Sequence, residues 1–396
     1  MSLMPPPGPP KSLLGRHRQL APTAAVKVSP ICLGAMTFGD NWKDALGECN
    51  KETSFALLDY FHEQGGNFID TAVNYQYGQS EQWIGEWMES RGTRDEMVIA
   101  TKYTGTIAHS LQKEGLIHAN FGGNNSKAMH LCVETSLKNL KTDYIDLYYV
   151  HLWDYTTSIP ELMKSLDNLV VAGKVLYLGI SNTPAWLVVK ANDYARQHGL
   201  RQFSVYQGQW SAATRDFERE IIPMCQAEGM GLAPWGALGG GSFKLPGTVT
   251  EGGRKLPLMQ VHAENVTVVL DKVAKRRGTA LTSIALAYVM HKTPYVFPIC
   301  GGRKLEHLKG NIEALGIQLS QEDIDEIEAA YPFDIGFPHS MLNGANKMIT
   351  GPGDVSFASR MGYFDWVENP RPIPAHQGPL EKMHTPPPWI TTKKED

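Results

Sequence analysis

Four side chains able to hold or move a proton fall at the ends of three apolar stretches. Phe68-Ile69-Asp70 is followed five residues on by Tyr75, Met97-Val98-Ile99-Ala100-Thr101 ends in Lys102, and Tyr144 to Val150 ends in His151. A carboxylate, a phenol, an ammonium and an imidazole suffice for acid–base chemistry without a metal. Tyrosine, with an ordinary pKa of about 10, is a poor proton donor or acceptor at neutral pH unless a cation lowers it. Lys102 is of the type to supply that field, and Asp70 would hold the ammonium and keep it charged. His151, neutral, would donate a hydrogen bond to a substrate oxygen and orient it. Such a set suits the reduction of a carbonyl, in which hydride goes to carbon and a proton to the developing alkoxide. Any one of these residues alone is more often structural than chemical. The joint placement on three consecutive strands, with Lys102 after a run too apolar to bury it unpaired, carries the reading.

These groups meet only if their strands are neighbours in one sheet. Strands are expected at Ile31–Met36, 67–72, 97–103, 144–151, Val175–Ser181, Phe203–Gln207, Gly231–Trp235 and Val296–Cys300. Helices alternate with them at Lys51–Gln64, 80–91, 126–141, from Ser158 to Gly173, after Thr183-Pro184, at 214–228, within 265–291 and at Lys304–Leu315. Ser158 stands three residues before Glu161, the capping-box spacing, and Thr183-Pro184 offers a cap with an early proline. Eight β-then-α units imply right-handed crossovers, a parallel sheet and a closed (β/α)8 TIM barrel, with chemistry at the C-terminal strand ends. No GxGxxG follows the first strand, which disfavours a Rossmann domain.

Residues 1–25 read as a proline-rich leader and the start of a hairpin, with Leu13–Arg18 and Val26–Val28 as its arms. Residues 26–332 are the barrel and 333–396 a C-terminal extension, its first part packed and its end mobile. Two glycine-rich loops, 104–125 and 237–262, are expected as binding lids. With 37 basic and 41 acidic residues the formal charge is −4. That gives no electrostatic case for nucleic acid or an anionic membrane. Five scattered cysteines without a CxxC pair suggest reduced thiols, no disulfide frame and no metal site. No apolar run approaches membrane-span length, and the N-terminus lacks a secretory pattern, so a cytoplasmic protein is expected.

Asp70-Thr71-Ala72 with Tyr75 and Ser80-Glu81, Lys102 closing one strand and Tyr149-Val150-His151 closing the next resemble the aldo-keto reductase superfamily. Asn74-Tyr75-Gln76, His151-Leu152-Trp153-Asp154 and the long C-terminus are most similar to its fungal aryl-alcohol dehydrogenase and norsolorinic acid reductase subgroup. The resemblance spans residues 26 to 332. It implies a (β/α)8 barrel, NADP(H) as cofactor, and a tetrad of Asp70, Tyr75, Lys102 and His151 with Tyr75 as general acid. It implies cofactor contacts from Asp70, Ser181, Asn182, Gln207, Trp235, Gly236, Arg303, His307 and Asn311. Arg303, beside a helix N-terminus suited to phosphate, favours NADP over NAD. Trp42, Tyr77, Tyr103 and Trp153 would line a flat pocket for an aromatic or polycyclic carbonyl.

The leading expectation is therefore an NADPH-dependent, reversible reductase of small-molecule aldehydes or ketones, in a secondary-metabolite pathway. Two alternatives stand beside it: a reductase-like enzyme of dehydration or rearrangement, and a redox-sensing NADPH-binding subunit with little turnover. An intact tetrad favours catalysis over the second. The sequence does not speak to oligomeric state.

Overall fold

A hairpin comes first, β1 (Arg18–Ala21) against β2 (Ala24–Val28), turning through Pro22-Thr23. Its first arm lies further along than the sequence suggests. Leu13–Gly15 is instead a 3-10 turn whose Leu14 N–H is taken by the Ser12 hydroxyl. The computed structural model describes residues 8–111, 113–245, 247, 261–344 and 347–381.

Eight parallel strands follow: β3 (Cys32–Gly34), β4 (Phe68–Asp70), β5 (Val98–Tyr103), β6 (Ile145–Val150), β7 (Val175–Ser181), β8 (Phe203–Gln207), β9 (Gly231–Leu232) and β10 (Ile299–Gly301). From β3 to β9 each pairs with the next in chain order, and β10 pairs with β3. Between β9 and β10 the seam is closed by Phe297 N donating to Leu232 O and Ile299 N to Pro234 O, both at 2.8 Å. The fold is a (β/α)8 barrel. All residues of β5 and β6 are buried, as expected of strands covered on both faces. β9 and β10 are shorter than the apolar runs suggest. Pro234 and Pro298 have no N–H to give to a ladder, so pairing thins to single bonds around them.

The helices are α1 (Lys43–Leu46), α2 (Lys51–Glu63), α3 (Gln79–Arg91), α4 (Ser126–Leu140), α5 (Ile159–Val171), α6 (Ala185–His198), α7 (Ile221–Glu228), α8 (Ala263–Arg277), α9 (Leu281–Lys292), α10 (Leu305–Glu313), α11 (Gln321–Glu328) and α12 (His339–Asn343). Asn50 and Asn125 cap α2 and α4 by accepting from Thr53 N and Ala128 N, each at 2.9 Å. At α5 only half of the expected capping box forms. Ser158 accepts from Glu161 N, but the Glu161 carboxylate turns away to take Ser126 N and Oγ at 3.0 and 2.9 Å, supporting the start of α4. Thr183 is no cap either, because its hydroxyl donates to Ser181 O and α6 starts at Ala185 after Pro184.

One apolar layer lies between sheet and helices, and a second fills the barrel interior. The interior layer stacks Phe68, Leu147, Tyr149, Val205 and Phe297 on Leu20, Ala21, Ala24 and Val28 of the hairpin, which plugs the N-terminal end. Leu20 O sits so close to Gly231 that a Cβ there would lie 2.3 Å from it. The start of the C-terminal extension packs on the barrel: Phe333 and Ile335 are buried, and Arg219 Nε donates to Asp334 O at 3.0 Å. The expected mobile end with Trp389, and most of the expected 237–262 lid, fall outside the described residues. All five cysteines are buried free thiols. Among the described residues no helix is long and apolar enough to cross a membrane, and no group of three or more His, Cys, Asp or Glu could hold a metal ion.

Because Leu20 is fully buried at the junction of hairpin and barrel, Leu20→Ala is expected to cost about 2–5 kcal/mol in denaturant unfolding. A loss well under 1 kcal/mol would mean that the hairpin is not part of the cooperative core.

Candidate active site

Register brings the ionisable groups to one rim. Asp70 pairs with Ala100, so Lys102 lies two residues further along β5 on the same face. Lys102 in turn pairs with Tyr149, which puts His151 two residues on, just beyond β6.

Lys102 is the hub. Its Nζ donates to Asp70 Oδ1 and Thr71 O at 2.6 Å each and to Tyr75 Oη at 3.4 Å. That uses all three ammonium donors. Asp70 Oδ2 accepts from Gln207 Nε2 at 2.9 Å, a bond that crosses the barrel from β4 to β8. Side chains of the ion pair are 0 and 5 % exposed. Burial opposes charge on Lys102, but Asp70 and Tyr75 outweigh it and raise the ammonium above its usual range. Burial also raises the Asp70 carboxyl, with Lys102 and Gln207 pulling the other way. An ammonium donating three bonds and a carboxylate accepting from two donors are the charged forms of both groups.

Tyr75 is held by the turn that joins β4 to α3. After β4 the chain makes the 3-10 turn Tyr75–Gly78, in which Gln76 and Tyr77 both take left-handed conformations, at φ 52° and 55°. Each such residue costs roughly 1–2 kcal/mol, so the loop needs anchoring. Buried Gln76 provides it: Oε1 accepts from Trp42 N at 2.7 Å, Nε2 donates to Met36 O at 3.1 Å, and its carbonyl accepts from Asn41 Nδ2 at 2.9 Å. Below, Ser80 Oγ lies 2.7 Å from Ala35 O and 2.8 Å from Thr71 Oγ1. Glu81, fully buried, accepts from Thr101 Oγ1 at 2.6 Å and Asn139 Nδ2 at 3.1 Å. The signal for this scaffold was present as polar residues set inside an otherwise apolar strand-to-helix junction.

His151 stands edge-on to Tyr75, ring centroids 5.8 Å apart at 76°. Burial, aided by the Lys102 charge, pushes its imidazole down to about 3, so it is neutral. Its carbonyl accepts from Asn182 Nδ2 at 3.0 Å, and the same amide group donates to Ser181 Oγ at 2.9 Å. Asn182 Oδ1 accepts from Trp235 Nε1 at 3.3 Å. Asn182 is left-handed at φ 46°, a conformation asparagine tolerates, and Gly236 follows Trp235 at φ 80°. Ser181, Asn182, Gln207, Trp235 and Gly236 thus line adjacent strand ends beside the ion pair.

Arg303 lies across the β10–α10 junction against the loop after β3. A Cβ on Gly47 would sit 1.8 Å from its Nη1, so glycine there gives the guanidinium its place. α10 begins behind Lys304 with no side-chain cap. His307 is exposed on it and Asn311 buried one turn further. Trp42 meets Tyr75 and Tyr77 edge-on at 6.2 and 6.0 Å, and half-buried Trp153 meets Tyr155 at 6.5 Å.

Tyr103 requires a correction. It is fully buried, stacked on Tyr148 at 5.5 Å, with its hydroxyl 3.4 Å from Asn124 O. As Lys102 faces the barrel interior, strand alternation turns Tyr103 into the layer under the helices, and it lines no pocket.

The folded protein keeps His151 neutral down to about pH 3, whereas the unfolded chain protonates it near about 6.5. Stability should therefore fall as pH drops from about 6.5 toward 3, with no contribution above. The expected result for His151→Gln is a slope of unfolding free energy shallower than wild type by up to about 1.4 kcal/mol per pH unit between about pH 4 and 6. Equal slopes would show that the imidazole titrates normally.

The sequence profile described as "Aldo/keto reductase family" matches residues 30–332. An aryl-alcohol dehydrogenase of Pestalotiopsis microspora is 57% identical over 379 residues, covering 95% of this chain and 97% of that protein. Norsolorinic acid reductase B of Dothistroma septosporum is 58% identical over 373 residues, 90% of this chain and 93% of its own. The NADP(+) aryl-alcohol dehydrogenase of Phanerodontia chrysosporium is 49% identical over 356 residues, 86 and 92% of the two chains. With a profile match over most of the chain and identities of this size over nearly full lengths, the chain belongs to the aldo/keto reductase family of oxidoreductases.

Proposed function

We propose that this protein is an NADPH-dependent reductase of aromatic or polycyclic aldehydes and ketones, reversible toward aryl-alcohol oxidation, acting on a small molecule of fungal secondary metabolism. The observation that carries the reading is a buried ammonium that donates to Asp70 and to the Tyr75 phenol at once, beside a neutral imidazole.

Residues around the strand ends suit a dinucleotide. An uncapped helix start at α10 leaves backbone N–H groups for phosphate, and Arg303, positioned by Gly47, adds the charge a 2′-phosphate calls for. Ser181, Asn182 and Gln207 are of the types that would hold a carboxamide, and half-buried Trp235 would stack on the ring. His307 and Asn311 would reach the adenosine end. When bound, the reduced nicotinamide supplies hydride to the carbonyl carbon.

In this reading His151 donates a hydrogen bond that fixes the substrate oxygen. Tyr75 Oη gives its proton to that oxygen as the C–H bond forms, so C=O becomes CH–OH. Lys102 stabilises the phenolate left behind, since a cation beside a phenol favours its ionised form, and Asp70 keeps the ammonium in place. Reversal returns proton and hydride by the same path. The relatives named for aryl alcohols and norsolorinic acid support an aromatic substrate. The edge-on pair of Trp42 with Tyr75 supports a flat one.

Tyr75→Phe is expected to lower kcat by about 10²–10⁴-fold, followed by loss of NADPH absorbance with aromatic aldehydes, while NADPH affinity stays within about twofold. Turnover equal to wild type would remove Tyr75 from the mechanism. Arg303→Ala is expected to weaken NADPH by about tenfold or more and NADH little, measured by fluorescence titration. An unchanged ratio would defeat the 2′-phosphate assignment.

A further inference from the structure

The aromatic side of the mouth does not stop at Tyr77. Tyr77 meets His109 with ring centroids 5.6 Å apart, and His109 meets His118 at 6.0 Å. Rings therefore run without a break from Tyr75 through Trp42, Tyr77 and His109 to His118. Both histidines come from the long loop after β5, His109 in the turn Ala108–Leu111 and His118 in the turn His118–Asn120.

That loop is tied down at its base. Gly123 N donates to Thr104 O at 2.8 Å, Ile107 N to Phe121 O at 3.0 Å, and Ala108 N to Thr106 Oγ1 at 3.1 Å. Under the outer end, Ser110 Oγ donates to Ile107 O at 2.6 Å. The imidazoles are thus presented by an anchored loop. Both are exposed, and neither makes a side-chain hydrogen bond to any described residue. No third His, Cys, Asp or Glu joins them in a metal-binding group among the described residues. Two aromatic rings carrying unused polar nitrogens, continuous with the site, match a flat apolar surface edged by hydroxyls.

We propose that His109 and His118 form a distal subsite that selects multi-ring aromatic carbonyls bearing phenolic hydroxyl groups on the ring furthest from the reacting carbonyl. This deepens the reading above and rests on it. A substrate with its carbonyl at Tyr75 meets Trp42 and Tyr77 before the imidazoles, so reaching His109 calls for more than a single ring. A ring N–H or lone pair there pairs with phenolic oxygen or its proton, while Tyr77 and the imidazole faces cover the distal ring. Methyl ethers of the same rings lose the donated bond. The subsite acts on KM and leaves kcat to the groups around Lys102.

The test compares wild type with His109→Phe, His118→Phe and the double variant, which keep the ring stack and remove the nitrogens. Substrates are a hydroxyanthracene carbaldehyde, its methyl ether and benzaldehyde, followed by NADPH oxidation. Wild type should prefer the hydroxy compound over its ether. In the double variant KM for the hydroxy compound should rise about fivefold or more with kcat unchanged, a loss of the size of one or two hydrogen bonds. KM for the ether and for benzaldehyde should not move. Equal shifts for hydroxy compound and ether, or none for either, would overturn the proposal. Should wild type reduce none of the three, the functional reading fails. The subsite is then judged by equilibrium dialysis of the same pair, where a hydroxy preference lost in the double variant supports it and no preference overturns it.

Discussion

A buried lysine paired with a buried aspartate is the constraint around which the rest of this barrel is arranged. Both side chains are almost wholly buried, and among the described residues each charge is held by the other and by Thr71 O, Tyr75 Oη and Gln207 Nε2. Removing one member would leave an unpaired charge in the interior, a loss of several kcal/mol in comparable sites (about 3–5). Such a pair is weak support for stability. Its consequence is positional: the ammonium can sit in one place, and that place is within reach of one phenol.

The surroundings keep the phenol there. Two successive left-handed residues lift Tyr75 and Tyr77 off the end of β4, and Gln76 between them is bonded to Met36, Asn41 and Trp42 of the preceding loop. Trp42 in turn stands edge-on to both tyrosines. Gln76 thus braces both the strained turn and the ring that borders the mouth. On the far side, Asn182 bonds to the carbonyl of His151 and to Trp235, so the neutral imidazole and the half-buried indole are linked through one side chain. The hairpin seals the opposite end of the barrel, leaving one end open for chemistry.

Much of this was legible in the sequence because the barrel repeats one unit. Apolar runs of strand length, alternating with amphipathic helices, located all eight strands, and the residues closing three of them located the ion pair and the imidazole. Strand ends drifted where proline intervenes, at Pro234 and Pro298, since an apolar run does not record a missing N–H donor. Tyr103 was misplaced although period-two alternation with Lys102 contained the correction. Glu161 has capping-box spacing from Ser158 yet serves a neighbouring helix, a choice made by tertiary contact and invisible to local pattern. The anchoring role of Gln76 depends on Met36, Asn41 and Trp42, and the ring contact of His109 with Tyr77 likewise joins segments far apart in the chain, so neither shows in the local pattern.

The claim that the ammonium acts through the phenol is tested most directly by a double-mutant cycle on hydride transfer. Single-turnover rates with an aromatic aldehyde would be taken by stopped-flow absorbance for wild type, Tyr75→Phe, Lys102→Met and the double variant, with NADPH affinity measured in each to establish an intact barrel. If Lys102 works by activating Tyr75, losing the phenol in a protein that already lacks the ammonium should slow the reaction little further, giving strongly non-additive penalties. Penalties that multiply independently would contradict the account, because lysine and tyrosine would then be contributing by separate routes.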